Sequence, residues 1–139
     1  MAAYRHECKH EINTSDFITL SMRLNAALKA DEFARADGAY EITSLYFDDV
    51  YGTALKEKIS GVNCRDKFRL RRYNNDTEHI KLEKKSKRGG FCLKESAAIT
   101  STQAQSIIGG DIDFLAAQGG VMAELYSAVL VSYNGEYMG

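Results

Sequence analysis

The stretch KFRLR, in the middle of the chain, constrains the fold most strongly because its charges alternate. Lys67, Arg69 and Arg71 are cationic, and the residues between them, Phe68 and Leu70, are apolar. A period of two residues is typical of a β-strand, in which successive side chains point to opposite faces. The stretch therefore predicts a strand with one apolar face and one face that carries a row of positive charges. Because like charges repel, the row predicts an anionic ligand on that face.

Other segments predict further strands and helices around this one. Runs rich in β-branched and aromatic residues indicate strands, the turn-rich NNDT indicates a hairpin, and apolar residues at three- and four-residue steps indicate helices. The predicted strands are residues 3–12, 40–49, 64–73, 78–86, 91–99 and 128–139. The predicted helices are residues 16–30, 51–60, 101–108 and 112–127. Meandering strands with helices inserted at two places predict an α+β fold with an antiparallel sheet and helices packed outside it.

Composition and length are those of an ordinary globular domain. The chain has 139 residues, of which 45% are hydrophobic and 27% charged, and this length fits one domain with a sizeable core. No apolar run approaches the ~20 residues that cross a bilayer, and the charges near the N-terminus are unlike a signal peptide. Three cysteines without a CxxC pair favour reduced thiols. We expect residues 1–139 to form a single, C-terminally incomplete domain. We expect it in the cytoplasm, or at the cytoplasmic face of a membrane through a partner.

Residue parity indicates which charged side chains share a face. In the first strand Arg5, Glu7 and Lys9 lie together. In the following strands the charged face carries Arg65, Lys67, Arg69, Arg71, Lys81, Glu83, Lys85 and Lys94. Side by side in a sheet, these strands would set cations within about 5 Å of one another. A charged outer sheet face is the ordinary interpretation. Charge this one-sided favours instead a curved sheet whose basic face turns inward and forms a tunnel for phosphate chains.

Four segments in register carry a resemblance to a known family. YRHECKHEI, EITSLYFDD, KFRLRRYN and IKLEKKS…GGFCLKE together resemble the VTC (vacuolar transporter chaperone) domain, the polyphosphate polymerase branch of the CYTH or triphosphate tunnel metalloenzyme superfamily. The resemblance implies an antiparallel β-barrel, completed by further strands, whose inward Arg and Lys hold a triphosphate or polyphosphate together with Mn²⁺ or Mg²⁺. It also implies a transferase that moves the γ-phosphoryl group of ATP onto a polyphosphate end and releases ADP.

The resemblance also implies roles for particular residues. The implied phosphate ligands are Lys9, Arg69, Arg71, Lys85 and Lys94, with Arg5 and Lys67 as additional candidates. The implied metal or water ligands are Glu7 and Glu83. Because tunnel cations repel one another when the site is empty, replacing Arg69 or Lys85 by alanine is expected to weaken binding with little loss of stability.

Two other functions fit the same basic face. A CYTH-type triphosphatase would use water as the acceptor, and a non-catalytic polyanion- or RNA-binding module would need only the charges. We expect ATP, triphosphate or polyphosphate as ligand, no specific nucleic acid, and a membrane protein or a second copy as partner. His6, Cys8 and His10 share the other face of the first strand. We predict that they pack against the helix at 16–30 rather than bind a metal.

Overall fold

Five strands form one antiparallel sheet, and four α-helices and one 3₁₀ helix accompany it. The computed structural model describes residues 3–32, 34–49 and 51–133, with side chains described as far as Val129. The strands are β1 (Arg5–His6), β2 (Ile42–Tyr46), β3 (Cys64–Tyr73), β4 (Ile80–Arg88) and β5 (Phe91–Ile99), in the spatial order β1-β5-β4-β3-β2. The helices are α1 (Thr14–Ala27), α2 (Thr53–Ile59), α3 (Ser101–Ile108), the 3₁₀ helix (Asp113–Ala117) and α4 (Val121–Tyr133).

The predicted mixed fold with an antiparallel sheet is confirmed. Among the described residues the sheet has two edges, at β1 and β2, and does not close into a barrel. The three long strands β3, β4 and β5 form its centre, and their bounds are close to the predicted ones. None of the helices within the described ranges is long and apolar enough to cross a membrane.

The turn between β3 and β4 shows why the sequence makes a hairpin there. Asn74 and Asn75 have φ angles of 51° and 58°, in the left-handed region that asparagine tolerates better than most residues. Asp76 Oδ1 then accepts hydrogen bonds from the backbone N–H groups of Glu78 and His79, at 2.7 and 3.2 Å. These bonds hold residues 78 and 79 in the turn, so β4 begins two residues later than predicted.

The core lies between the apolar face of the sheet and the C-terminal helices. Leu82 of β4, Leu115 of the 3₁₀ helix and Leu125 of α4 are fully buried, and each such side chain contributes about 1.5–3 kcal/mol through burial. The other core residues are Phe47, Leu70, Ile80, Ile99, Ala104, Ile107, Val121, Met122 and Val129. Because helices cover this face, the charged side chains occupy the opposite one.

The predicted last strand is wrong for the part that the structure describes. Residues up to Tyr133 belong to α4, and residues 134–139 lie outside the described ranges. The run AVLVSY has the composition of a strand, but Val121, Leu125 and Val129 recur at four-residue steps and are buried in the core. Burial of one helical face therefore outweighed the β propensity of the individual residues.

The N-terminal segment also differs from expectation. The first strand covers only Arg5–His6, not residues 3–12. Its predicted packing against α1 is wrong, because His6, Cys8 and His10 are exposed and α1 has no buried residue. Instead, the His6 ring contacts the Phe91 ring edge-on at 5.9 Å between centroids. The helix itself begins where a capping box predicts, with Asn13 and Asp16 bonding each other's backbone N–H groups.

Candidate anion-binding site

The register of the sheet collects the basic side chains on one face. Lys67 lies opposite Lys85 in the β3–β4 pair, and Lys85 lies opposite Lys94 in the β4–β5 pair. Residues directly opposite each other in an antiparallel pair point to the same side of the sheet. We call this side the basic face, and its charged members are Arg65, Lys67, Arg69, Arg71, Lys81, Glu83, Lys85, Lys87 and Lys94. The parity argument placed all of these side chains except Lys87 together, as the structure does.

A cleft of about 820 Å³ lies on the basic face, between the N-terminal segment and α2. Seven cationic side chains and one carboxylate line this basic cleft. They are Lys9, Lys58, Arg65, Lys67, Arg69, Lys85, Lys87 and Glu7. Such an excess of one charge in a concave surface attracts an anion and raises its local concentration.

Glu83 lies beneath the centre of the basic face and neutralises part of it. It is 2% exposed. Its Oε2 accepts from Arg69 Nε at 2.7 Å and lies 2.6 Å from Arg69 Nη2. Arg71 Nε is 3.9 Å from the same oxygen, and Lys94 Nζ is 3.6 Å from Oε1. A buried carboxylate is tolerated only with such partners, so Glu83 fixes the positions of the cations around it.

Tyr46 extends this network to the edge strand β2. Its hydroxyl accepts a hydrogen bond of 2.9 Å from Arg69 Nη1, and the Arg69 guanidinium lies over the Tyr46 ring at 5.7 Å from the centroid. The hydrogen bond from Arg69 lowers the pKa of Tyr46 against the opposing effect of burial, and the charges of Arg69, Arg71 and Lys67 lower it further. Sequence analysis missed the role of Tyr46, because only the strand register shows that it lies opposite Arg69.

A second carboxylate, Glu7, holds Lys85. Lys85 Nζ lies 2.9 Å and 3.2 Å from the two Glu7 oxygens, and Lys9 Nζ lies 4.0 Å from Oε1. The hydrogen bond and charge of Lys85 lower the pKa of Glu7. Both Lys85 and Arg69 are thus ion-paired in the unliganded protein. The expectation that their replacement costs little stability assumed cations without partners. Here each removal would leave a carboxylate without its main partner, so a larger loss is now expected.

The end of the cleft next to α2 lacks such compensation. Among the described residues, no carboxylate forms a salt bridge with Lys58, Arg65, Lys67 or Lys87. Burial lowers the pKa of Lys67, and the charges of Arg65 and Lys58 lower it further. Nearby cations disfavour the charged form of a lysine, and a bound anion would favour it.

Helix α2 brings Lys58 to this end of the cleft. Asp48 Oδ1 accepts from the N–H of Ala54 at 2.8 Å, and Asp49 Oδ1 accepts from the N–H of Thr53 at 2.9 Å. The YFDD motif thus ends its strand, as predicted, and caps the following helix. Sequence analysis missed Lys58. In a short helix, packing against the rest of the protein decides which side chains face the cleft, and the sequence pattern does not show it. Parity placed Arg65 on the same face as Lys67, but Lys87 was missed because the predicted strand ended at residue 86.

The predicted site residues divide into three groups. Glu7, Lys9, Lys67, Arg69 and Lys85 line the cleft. Arg71, Glu83 and Lys94 do not line the cleft, and Glu83 lies within 4 Å of both cations. Arg5 lies opposite Cys92, on the same side of the sheet, but does not line the cleft.

The carboxylates of the basic face fit a metal ion to different degrees. Within the described residues no three His, Cys, Asp or Glu side chains lie close enough to hold a metal. Glu83 is buried and bonded to Arg69, which does not suit a metal ligand. Glu7 has a side chain that is 28% exposed at the wall of the cleft. Mg²⁺ is commonly held by one or two carboxylates plus phosphate oxygens of the substrate, and Glu7 fits that role.

Comparison with known proteins gives a family match. Residues 4–134 match the family model described as VTC domain. The match covers nearly the whole chain, and it includes every residue that lines the basic cleft. A comparison with curated proteins found no match.

Proposed function

The chain belongs to the VTC domain family, and from this premise we propose that its basic cleft binds the phosphate chain of a triphosphate or polyphosphate. One observation carries the proposal: seven cationic side chains and one carboxylate line a single cleft on the sheet. Arginine offers a planar pair of donors to phosphate oxygens, and lysine offers a compact charge. A mixture of the two suits a ligand that is recognised by its charge along a chain.

The reaction that we propose is transfer of the γ-phosphoryl group of ATP. The bond between the γ-phosphorus and the β–γ bridging oxygen breaks, a bond to the terminal oxygen of a polyphosphate forms, and ADP leaves. Such transfer requires positioning and electrostatic stabilisation more than covalent help. Arg69 and Lys85 are the cations best placed to hold the reacting phosphates. The sheet then acts as one wall of a tunnel along which the polyphosphate chain grows.

A divalent metal, Mn²⁺ or Mg²⁺, belongs to the proposal as an ion that arrives with the phosphate chain. It would neutralise charge on the phosphate oxygens during transfer. Glu7 is the carboxylate that would hold it, and Lys85 would then be released from Glu7 to bind a phosphate oxygen. Glu83 keeps its place as the anchor of Arg69 and Lys94.

Binding of inorganic tripolyphosphate, measured by isothermal titration calorimetry, tests the proposal. Lys85→Gln removes one charged partner, so its dissociation constant is expected to be about tenfold higher. Lys29→Gln is the matched control, because Lys29 is exposed and lies outside the cleft. The absence of binding by the unmodified protein, or equal losses in the two variants, would overturn the proposal.

Two further measurements separate the alternatives. Incubation with ATP and analysis of the products on a gel distinguishes a polymerase, which makes a long chain, from a triphosphatase, which releases phosphate. Competition between tripolyphosphate and single-stranded RNA distinguishes both from a general polyanion-binding module. We expect tripolyphosphate to displace RNA, whereas a general module would bind both in proportion to their charge.

A further inference from the structure

We infer that helix α1 is a pairing surface for a second copy of this chain, with the two helices antiparallel. The contact is made by apolar side chains on one side of α1 and at its C-cap. We call them the α1 stripe, and its members are Phe17, Leu20, Leu24, Ala27 and Leu28. The inference does not rest on the proposed function, because no residue of α1 lines the basic cleft.

The α1 stripe is exposed in the single chain. Its four large side chains are between 41% and 64% exposed, and α1 has no buried residue. Within the described ranges no residue of α1 forms a salt bridge. An isolated helix of 14 residues is marginal in water, because most helices are stabilised by packing of an apolar face. The stripe therefore lacks the cover that a helix of this length needs.

The rest of this chain offers little that could cover the stripe. Outside the described ranges the longest stretch is residues 134–139. These residues, NGEYMG, include only two large apolar side chains. Helix α1 extends over about 21 Å at a rise of about 1.5 Å per residue, which is too long for so short a segment to cover. A second molecule is therefore the expected partner.

Charged residues flank the α1 stripe on one side only. At about 100° per residue, Asp16 and Arg23 both lie roughly 80° from the centre of the stripe, on the same side. Arg23 lies about 10 Å further along the helix axis than Asp16. The other flank carries Ser21 and Asn25, which are uncharged. One flank thus has a negative charge near the start of α1 and a positive charge near its end.

This charge pattern selects an antiparallel pair. When two helices pack stripe to stripe in opposite directions, the same flank of each helix meets the other, and flanking charges decide the orientation. Asp16 of each copy then lies beside Arg23 of the second copy, and a two-fold axis near Leu20 relates the two ion pairs. In a parallel pair each charged flank would meet the uncharged flank with Ser21 and Asn25. The surface is therefore complementary to itself in one orientation.

The small size of the interface sets its affinity. A standard protein interface involves about 20–30 residues on each side, and the α1 stripe with its two flanking charges supplies far fewer. Pairing nevertheless removes exposed apolar area of both copies from water. We therefore expect a weak dimer, with a dissociation constant on the order of 10–100 µM.

Sedimentation equilibrium measures the pairing, and two variants of α1 locate it. Leu24→Glu places a charge in the middle of the stripe, so the dissociation constant of the dimer is expected to rise about tenfold or more. Met22→Glu is the matched control, because Met22 is 71% exposed and lies on the side of α1 opposite the stripe. It is expected to leave the constant within about twofold. Since α1 has no buried residue, both variants are expected to keep the melting temperature of the sheet and its core.

Two charge changes test the antiparallel orientation. Arg23→Asp leaves two acids on the charged flank and Asp16→Arg leaves two bases, so each variant repels a second copy of itself. We expect each variant alone to be monomeric where the unmodified protein pairs. Mixed in equal amounts, they are expected to form a mixed dimer, because every contact across the flank then combines opposite charges. Circular dichroism checks the helix content of Asp16→Arg, which also loses one capping bond.

The outcomes decide what covers the stripe. A dimer that Leu24→Glu weakens and Met22→Glu does not supports the inference. A monomer at concentrations up to several hundred micromolar, or equal effects of the two variants, would overturn it. Failure of the mixed charge variants to pair would overturn the antiparallel orientation. If the unmodified protein is monomeric and sediments with phosphatidylcholine vesicles, and Leu24→Glu does not, the stripe binds a membrane surface and the inference is wrong.

Discussion

Glu83 is the residue on which the basic face depends most. It is 2% exposed and contacts three cations that the family resemblance assigns to phosphate. Because those cations outnumber it, the cluster keeps a net positive charge and still attracts an anion. Glu83 therefore lowers the repulsion enough for the strands to pair, and it holds Arg69 in a defined position before the ligand arrives.

Glu83→Gln separates these two effects. Glutamine keeps the shape of the side chain but leaves Arg69 without its ionic partner, so the free energy of unfolding is expected to fall by about 2–3 kcal/mol. Urea denaturation measures this loss. Saturating tripolyphosphate is expected to recover more stability in the variant than in the unmodified protein, because it replaces the missing negative charge. If the ligand stabilised both proteins equally, Glu83 would not be acting on the anion site.

At the scale of elements, the Glu7–Lys85 pair ties the N-terminal segment to the sheet. The strand β1 pairs with β5 through two residues only, so this contact contributes much of its attachment. The pKa of Glu7 is lowered from 4.5, chiefly by the hydrogen bond from Lys85. A carboxyl whose pKa is lower in the folded state stabilises the fold above its unfolded pKa. That stability is lost as the pH falls through the lowered value.

Glu7→Gln is therefore expected to be less stable than the unmodified protein at pH 7. The difference is expected to shrink as the pH falls below about 4.5 and through the lowered pKa, because both proteins then carry an uncharged group at position 7. Urea denaturation at a series of pH values measures the difference. Glu11→Gln is the control, since Glu11 is exposed. A difference that did not change with pH would mean that the charge of Glu7 does not hold the segment.

Helix α4 can be tested at one buried and one exposed position. Leu125 is buried and Ser127 is exposed, as expected of a helix that packs one face on the sheet. We expect Leu125→Ala to lower the free energy of unfolding by about 2–5 kcal/mol, and Ser127→Ala to change it by less than about 0.5 kcal/mol. Urea denaturation measures both values. Similar losses in both variants would contradict a helix that buries one face only.

Much of the fold could be predicted because it depends on local patterns. Local composition and turn signals were sufficient to predict the bounds of β3 and β5. The odd or even position of each residue along its strand was sufficient to predict the face on which Lys67, Arg69 and Lys85 lie. The carboxylate partners and Lys58 were beyond prediction, since strand register and helix packing decide which side chains meet. The helical conformation of residues 128–133 was missed for a related reason. Their β-rich composition predicts a strand, and only contacts with a distant part of the sequence overrule it.

At the scale of the whole molecule, the sheet separates two functions. One face carries the apolar core and the opposite face carries the basic cleft, so the buried apolar side chains and the side chains proposed to bind anions are largely separate. Arg71 and Leu70, adjacent in sequence, illustrate the division: one contacts Glu83 and the other lies in the core. Ligand binding to the cleft adds to stability because the cleft exists only in the folded state.

This linkage predicts how stability depends on phosphate chain length. At about 100 times its dissociation constant, a ligand adds ~2.7 kcal/mol, which raises the melting temperature of a domain of this size by on the order of ten degrees. We expect orthophosphate, pyrophosphate and tripolyphosphate, compared at equal total phosphate, to raise it in increasing order. Differential scanning calorimetry measures the series, with Lys58→Gln alongside because Lys58 lines the α2 end of the cleft. If the phosphate chain extends along the cleft, the variant loses more of the shift for tripolyphosphate than for orthophosphate, and equal losses would contradict such a chain.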